Sequence, residues 1–180
     1  MPRIVHEEAY DGVREKAERL GLLGLIDQVR SILTGFTLLV EERKDANGAA
    51  ALRKMIDSGF EATAGWSKQV TGSADWTKRK TVNGTTLCIQ VEVQVSARSD
   101  SLIRDVIHLR DSLERGELDI GIVVVSSNRL GLFLTDRVPK LSDALRTVKE
   151  ARAEDLPFLV IAIEHDGAGP PLPKQRKRKG

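Results

Sequence analysis

Cysteine is almost absent from this 180-residue chain. Cys88 is the single one, so no intrachain disulfide can form, which fits a reducing cytoplasm. Long apolar runs are absent too. None approaches the roughly 20 residues that a membrane span needs, and the opening MPRIVHEEAY holds no apolar secretory segment. No membrane association and a cytoplasmic location are therefore expected. No internal repeat is visible. Net charge is small at +2, and it becomes −3 once the five positive residues Lys174, Arg176, Lys177, Arg178 and Lys179 are set aside. A slightly acidic body thus carries a basic tail. The length suits one domain with a real core. It is expected to span residues 1–166, with a helical N-terminal part at 1–45, ahead of a flexible basic tail at 167–180.

What is present has order. Residues 7–33 read as helical, with Val13, Ala17, Leu20, Leu23 and Ile26 at helical spacing and a weak point at Gly21 and Gly24. Residues 48–63 read as a second helix and 74–96 as a β-hairpin. Residues 99–115 form the clearest helix: Leu102, Val106, Leu109 and Leu113 make one stripe, widened by Ile103 and Ile107, and Gly116 ends it. LDIGIVVVSS and LPFLVIAIEH are continuous apolar runs, as buried strands are. A helix over 141–152 separates them. The order predicts an α/β sheet covered on both faces.

The segment IQVEVQVS, residues 89–96, alternates without a fault, yet its polar face carries Gln90, Glu92, Gln94 and Ser96. Asn83-Gly84 is a strong hairpin signal, because both central residues of a type I′ turn need positive φ. With that turn, Val82 pairs with Thr85 and Glu92 falls opposite Asp75. Directly opposed side chains share a face with Cβ atoms about 4.5–5.5 Å apart. Two carboxylates side by side repel, and a divalent cation removes the cost. Asp75, Glu92 and a backbone carbonyl near Val93 offer the hard oxygen ligands that Mg²⁺ prefers. The plainer reading is a polar face open to solvent.

Asp75, sixteen intervening residues and then Glu92-Val93-Gln94 resemble the PD-(D/E)xK nuclease signature, with glutamine where lysine is usual. That variant marks the BglII/BstYI-type restriction endonucleases. VEVQVS resembles their catalytic strand. The segment from Ser99 to Pro139 resembles the stretch after that strand, and LPFLVIAIEHDG resembles the closing strand, so the likeness covers about residues 47–167. It implies a restriction-endonuclease-like central mixed sheet flanked by helices. It further implies Mg²⁺-dependent, site-specific hydrolysis of double-stranded DNA, at a palindrome with a GATC core cut to leave a 5′ overhang. Phosphodiester hydrolysis needs charge stabilisation at the phosphate and an activated water. Asp75 and Glu92 would hold the metal. Gln94, which cannot titrate, would orient a water, and Ser96 would bond the water network or the DNA. Glu61, upstream on a helix, lies where some relatives place another acidic ligand, although a solvated helix charge reads the same way.

Base reading is expected at the edges of this site. Ala97, Arg98 and Ser99 follow the catalytic strand, and Ser126, Ser127, Asn128 and Arg129 follow the next one, where open α/β sheets place ligands. Arg98 and Arg129 are candidate guanine readers and Asn128 an adenine reader; either arginine could equally contact phosphate or form a salt bridge. Trp66 and Trp76 read as core, His108 as structural, and Cys88 has no partner set for nucleophilic or zinc chemistry. A palindromic site calls for a homodimer. The helix at 99–115 is the candidate interface, unless both its apolar rows are buried on the chain's own sheet. Two further readings stay open: another nuclease of the same superfold, for repair or for particular DNA structures, and a decayed DNA-binding module.

Overall fold

Two long apolar runs set the centre of the molecule. In the computed structural model, which describes residues 1–68, 75–96, 99–135 and 137–174, they form β6 (Ile120–Ser126) and β7 (Phe158–Glu164), buried at every position. They are parallel to each other and to β5 (Thr85–Val93). An antiparallel strand, β4 (Trp76–Val82), follows beyond β5 and the short β3 (Ser67–Lys68) beyond β4. The far edge is β1 (Arg3–Ala9), antiparallel to β7. The sheet therefore has six strands in the order β1-β7-β6-β5-β4-β3, mixed as expected.

Helices cover both faces. On one side lie α1 (Val13–Arg19), α2 (Leu23–Thr34) and α3 (Ala49–Ala62), whose Val13, Val29, Leu52, Ile56 and Phe60 join Val91, Val93 and Ile122 in one core. On the other lie α4 (Ser99–Glu114) and α6 (Leu141–Glu150), with Leu102, Val106 and Leu109 packed on Val123, Val125 and Val160. Between β6 and α6 the chain makes a single helical turn, α5 (Leu130–Phe133). Among the described residues, no helix is long and apolar enough to cross a membrane.

The hairpin register is the one that the Asn83-Gly84 turn requires. Both residues have positive φ, 51° and 81°, and paired residue numbers sum to 167 from Val82↔Thr85 to Trp76↔Val91. Asp75 stands one step beyond the last pair, beside Glu92.

Three expectations need correction. The N-terminal part is not wholly helical: Arg3–Ala9 is an edge strand, and the helix read over 7–33 is two helices separated around Gly21, whose φ is +68°. Residues 167–174 are not loose. Gly167–Ala168 (β8) pairs with Leu39–Val40 (β2), the Leu172 amide bonds the Asn47 side chain at 3.1 Å, and Leu172 is buried. Residues 175–180 of the predicted tail lie outside the described residues. Finally, the stripe of α4 serves the chain's own core. Leu102, Val106, Leu109 and Leu113 are buried there, and Ile103 and Ile107 are half-buried against the same cluster.

Candidate active site

The polar face of β5 is not open to solvent. Gln90, Glu92 and Gln94 are all buried beneath α4. Gln90 faces Thr77 across the hairpin, and Gln90 Oε1 and Thr77 Oγ1 have no hydrogen-bond partner. Two residues further on, Glu92 meets Asp75. Burial, then the nearby charges of Asp75 and Asp105, push the Glu92 carboxyl up to about 9, and the two carboxyls share a hydrogen bond. Two acids forced together in a poorly solvated place hold a proton between them unless a cation takes its place.

The cation beside them is Arg53, from the second turn of α3. Its Nη2 lies 2.7 Å from Asp75 Oδ1, its Nη1 donates to the Val93 carbonyl at 2.8 Å, and its Nε donates to Asp57 Oδ1 at 2.9 Å. The other Asp75 oxygen accepts the Val93 amide at 2.8 Å. Asp57 is fixed from two more sides, by Trp76 Nε1 at 2.9 Å and Lys68 Nζ at 3.0 Å. Burial opposes its ionisation, yet these donors hold its carboxyl below the usual range. Trp76 in turn stacks on Phe60 at 5.1 Å between ring centroids. Both tryptophans are buried, in keeping with their reading as core residues.

The donor set suits a hard divalent cation: two carboxylates and a backbone carbonyl, all oxygen. A guanidinium already bonds one carboxylate and that carbonyl, which marks them as facing a positive charge. Among the described residues, no group of three or more His, Cys, Asp or Glu converges into a richer cluster.

The remaining expected residues divide. Gln94 directs its amide nitrogen to Asp105 Oδ2 at 2.7 Å, and its carbonyl accepts a long bond from Ser101 Oγ at 3.5 Å. Ser96 and Glu61 line one cavity of about 350 Å³ together with Arg53, Lys54 and Lys68; Glu61 itself is exposed. Ala97 and Arg98 lie outside the described residues, and of Ser99 only its place at the start of α4 is described. Ser126 and Ser127 depart from the expectation of DNA contact, because their hydroxyls point inward. Ser126 Oγ donates to Pro139 O at 3.0 Å, and Ser127 Oγ to Glu164 Oε2 at 2.7 Å. Both residues are buried. Asn128 and Arg129 do lie on the surface, at the same edge of the sheet as Glu92 because β5 and β6 run parallel. Asn128 caps the Ser142 amide at 3.1 Å, and Arg129 pairs with Glu42 at 2.8 Å. Behind them, His165 is buried between Glu164 and Glu42. Sequence reasoning does not single out Arg53, Asp57 or Asp105. The spacing of Arg53 and Asp57, one helical turn apart, is legible, but on a helix it reads as an ordinary surface pair.

A mixed sheet with both faces covered by helices, and acidic residues from a hairpin at the end of a central strand, is the restriction-endonuclease-like fold. A sequence model of the restriction endonuclease BglII/BglIII family matches residues 23–163, and the chain belongs to that family. It is thus a nuclease, a hydrolase that binds DNA. The match begins at α2, upstream of the motif-bearing stretch at 47–167. No curated protein matches the sequence.

Proposed function

We propose that the chain is a type II restriction endonuclease, cutting both strands of DNA at a palindromic site with Mg²⁺ as cofactor. The observation that carries this reading is the convergence of Asp75 Oδ1, the Glu92 carboxyl and the Val93 carbonyl at the end of β5. Asp75, Glu92 and Val93 would hold the metal. Bound there, the metal would supply charge stabilisation at the scissile phosphate and a water of lowered pKa. Glu92, whose carboxyl pKa is raised in the metal-free chain, would be ionised with a cation held there. Asp75 stays oriented through the Val93 amide. Gln94, anchored by Asp105, has on its carbonyl oxygen a second lone pair, beyond the long Ser101 bond, that would accept from a water, and Ser96 and Glu61 face the neighbouring cavity where DNA would enter. Asn128 and Arg129 would read bases from the next strand end, and Arg98 and Ser99, which follow β5 in the sequence, would add DNA contacts. A GATC core and a 5′ overhang are expected from the likeness to the BglII/BstYI group. The enzyme would work in the cytoplasm as part of a restriction-modification system.

The test is sequencing the ends left after digestion of plasmid and phage DNA with Mg²⁺. A single recurrent palindrome at every end is the expected result. Scattered ends would point to a repair or structure-specific nuclease, and intact DNA that is still bound would point to a decayed binding module. A homodimer would present two such sites across the palindrome. Light scattering should give about 40 kDa, twice the 19.8 kDa chain. Because the α4 stripe is used internally, the contact must come from another surface or from the outer edge of Ile103 and Ile107.

A further inference from the structure

Arg53 stands where the metal would stand. Its guanidinium bonds Asp75 Oδ1 at 2.7 Å and the Val93 carbonyl at 2.8 Å, two of the three oxygen ligands assigned above. A dication at about 2.0–2.1 Å from those oxygens leaves no room for N–H donors on the same lone pairs. Two cations a few ångströms apart in a poorly solvated site also repel strongly. Ion and guanidinium are therefore alternative occupants. The third bond of the group, Nε to Asp57 Oδ1 at 2.9 Å, lies outside that exchange. Asp57 is itself held by Trp76 and Lys68, so it can keep its hold on Nε while the two terminal nitrogens turn away.

The space into which they can turn is present. The cavity of about 350 Å³ beside Arg53 is lined also by Lys54, Lys68, Glu61 and Ser96. It borders Arg53 and carries three cationic side chains, Arg53, Lys54 and Lys68, beside the acidic Asp57 and Glu61. Gln94 supplies no charge here: it is neutral, and its amide nitrogen is engaged by Asp105. A phosphodiester arriving at Asp75 and Glu92 meets two carboxylates and needs a protein cation near it.

We propose that Arg53 is a further functional residue of this site, exchanged between two positions: on Asp75 and the Val93 carbonyl in the free protein, and on the DNA phosphate in the adjoining cavity once a divalent cation has displaced it. The proposal rests on the nuclease reading for the identity of the anion, but the exchange itself concerns only the protein and a metal. In the free protein the guanidinium screens the paired carboxylates. In the loaded one it adds positive charge where negative charge grows during hydrolysis.

The experiment titrates the full chain with Ca²⁺ by calorimetry, without DNA, for the wild type, R53M and R53K. Removing the competing guanidinium should tighten Ca²⁺ binding by R53M at least about tenfold, the lower end of what one hydrogen bond to a charged group contributes. R53K should fall between, because an ammonium cannot span both oxygens as a planar fork does. With Mg²⁺ and plasmid DNA, R53M should cut at least about a hundredfold more slowly despite its tighter metal site. Circular dichroism checks folding, and if R53M does not fold, the intermediate tightening in R53K carries the test. Unchanged or weaker Ca²⁺ binding in the folded variants overturns the exchange. Tighter binding with full cleavage overturns the phosphate contact. A wild type that cuts no DNA, alongside tightening in R53M, sinks the nuclease reading and leaves the exchange standing.

Discussion

Gln94 donates its side-chain amide to Asp105 Oδ2 at 2.7 Å, which ties the last residue of the Glu-Val-Gln motif to α4. The neutral side chain suits its surroundings, because Glu92 and Asp105 already crowd this face. A carboxylate at 94 would lose that hydrogen bond and repel both. Gln94→Glu should therefore melt several degrees below the wild type in EDTA and recover most of the difference in millimolar Ca²⁺. It should keep some cleavage with an altered metal preference, whereas Gln94→Leu should lose far more. Equal turnover of the leucine variant and the wild type would remove Gln94 from the chemistry.

Asp75→Asn and Glu92→Gln change charge while keeping shape. Each should reduce cleavage in Mg²⁺ by at least about a hundredfold while leaving the circular dichroism spectrum and DNA binding in place. In Asp75→Asn the remaining side-chain carbonyl can still accept the Val93 amide, which Asp75 accepts at 2.8 Å, so the hairpin end should hold. Near wild-type turnover of either variant would mean that the metal sits elsewhere.

Glu92 makes metal-free stability depend on pH. Burial and its acidic neighbours raise its carboxyl from the ordinary 4.5 to about 9 in the folded chain. Below about 4.5 the group is neutral in both states and costs nothing. Between there and about 9 the unfolded chain releases a proton that the folded chain keeps, so this contribution to stability falls as pH rises. In EDTA the melting temperature should drop more steeply from pH 6 to 9 in the wild type than in Glu92→Gln. Adding Ca²⁺ should flatten the wild-type curve, because a bound cation favours the ionised group. Parallel curves for both proteins would show that Glu92 is ionised without metal.

The loop after β6 combines two kinds of residue. Ser127→Ala leaves Glu164 Oε2 without the 2.7 Å bond that it accepts and should destabilise the fold by about 1–3 kcal/mol. Arg129 is 57 % exposed in its pair with Glu42, and such a solvent-screened pair adds little to stability. Arg129→Ala should leave the melting temperature nearly unchanged while changing which DNA sites are cut. Chemical denaturation of both variants, beside digestion of a mixed-site substrate, separates the two roles.

How much of this is legible in the sequence depends on how local the cause is. Asn83-Gly84 dictates its own turn, and from it the pairing that carries Asp75 to Glu92 emerges by counting. The continuous apolar runs of β6 and β7 announce central strands. Arg3–Ala9 escapes such reading because an edge strand is only partly buried, and its burial pattern mixes exposed and half-buried positions. The broad face of α4 suggests a partner molecule. It has two neighbours in its own chain instead, the sheet and α6, and each takes a share of that face. Arg53 cannot be found in this way. Its importance lies in bonds to Asp75 and Val93, which only the folded chain brings to α3.

The pairing of Gly167–Ala168 with Leu39–Val40 also bears on the root of α3. From there the chain runs on so that the Gly48 amide donates to Leu172 O at 3.1 Å, and a Cβ on Gly48 would come within 1.9 Å of Pro173 O. Residues 167–173 thus act as a buckle fastened over the start of the helix that carries Arg53 and Asp57. Position 48 becomes a remote handle on the site. A single methyl group there would prise the buckle open and let the helix shift, moving the guanidinium from its oxygens without altering any residue that touches metal or DNA.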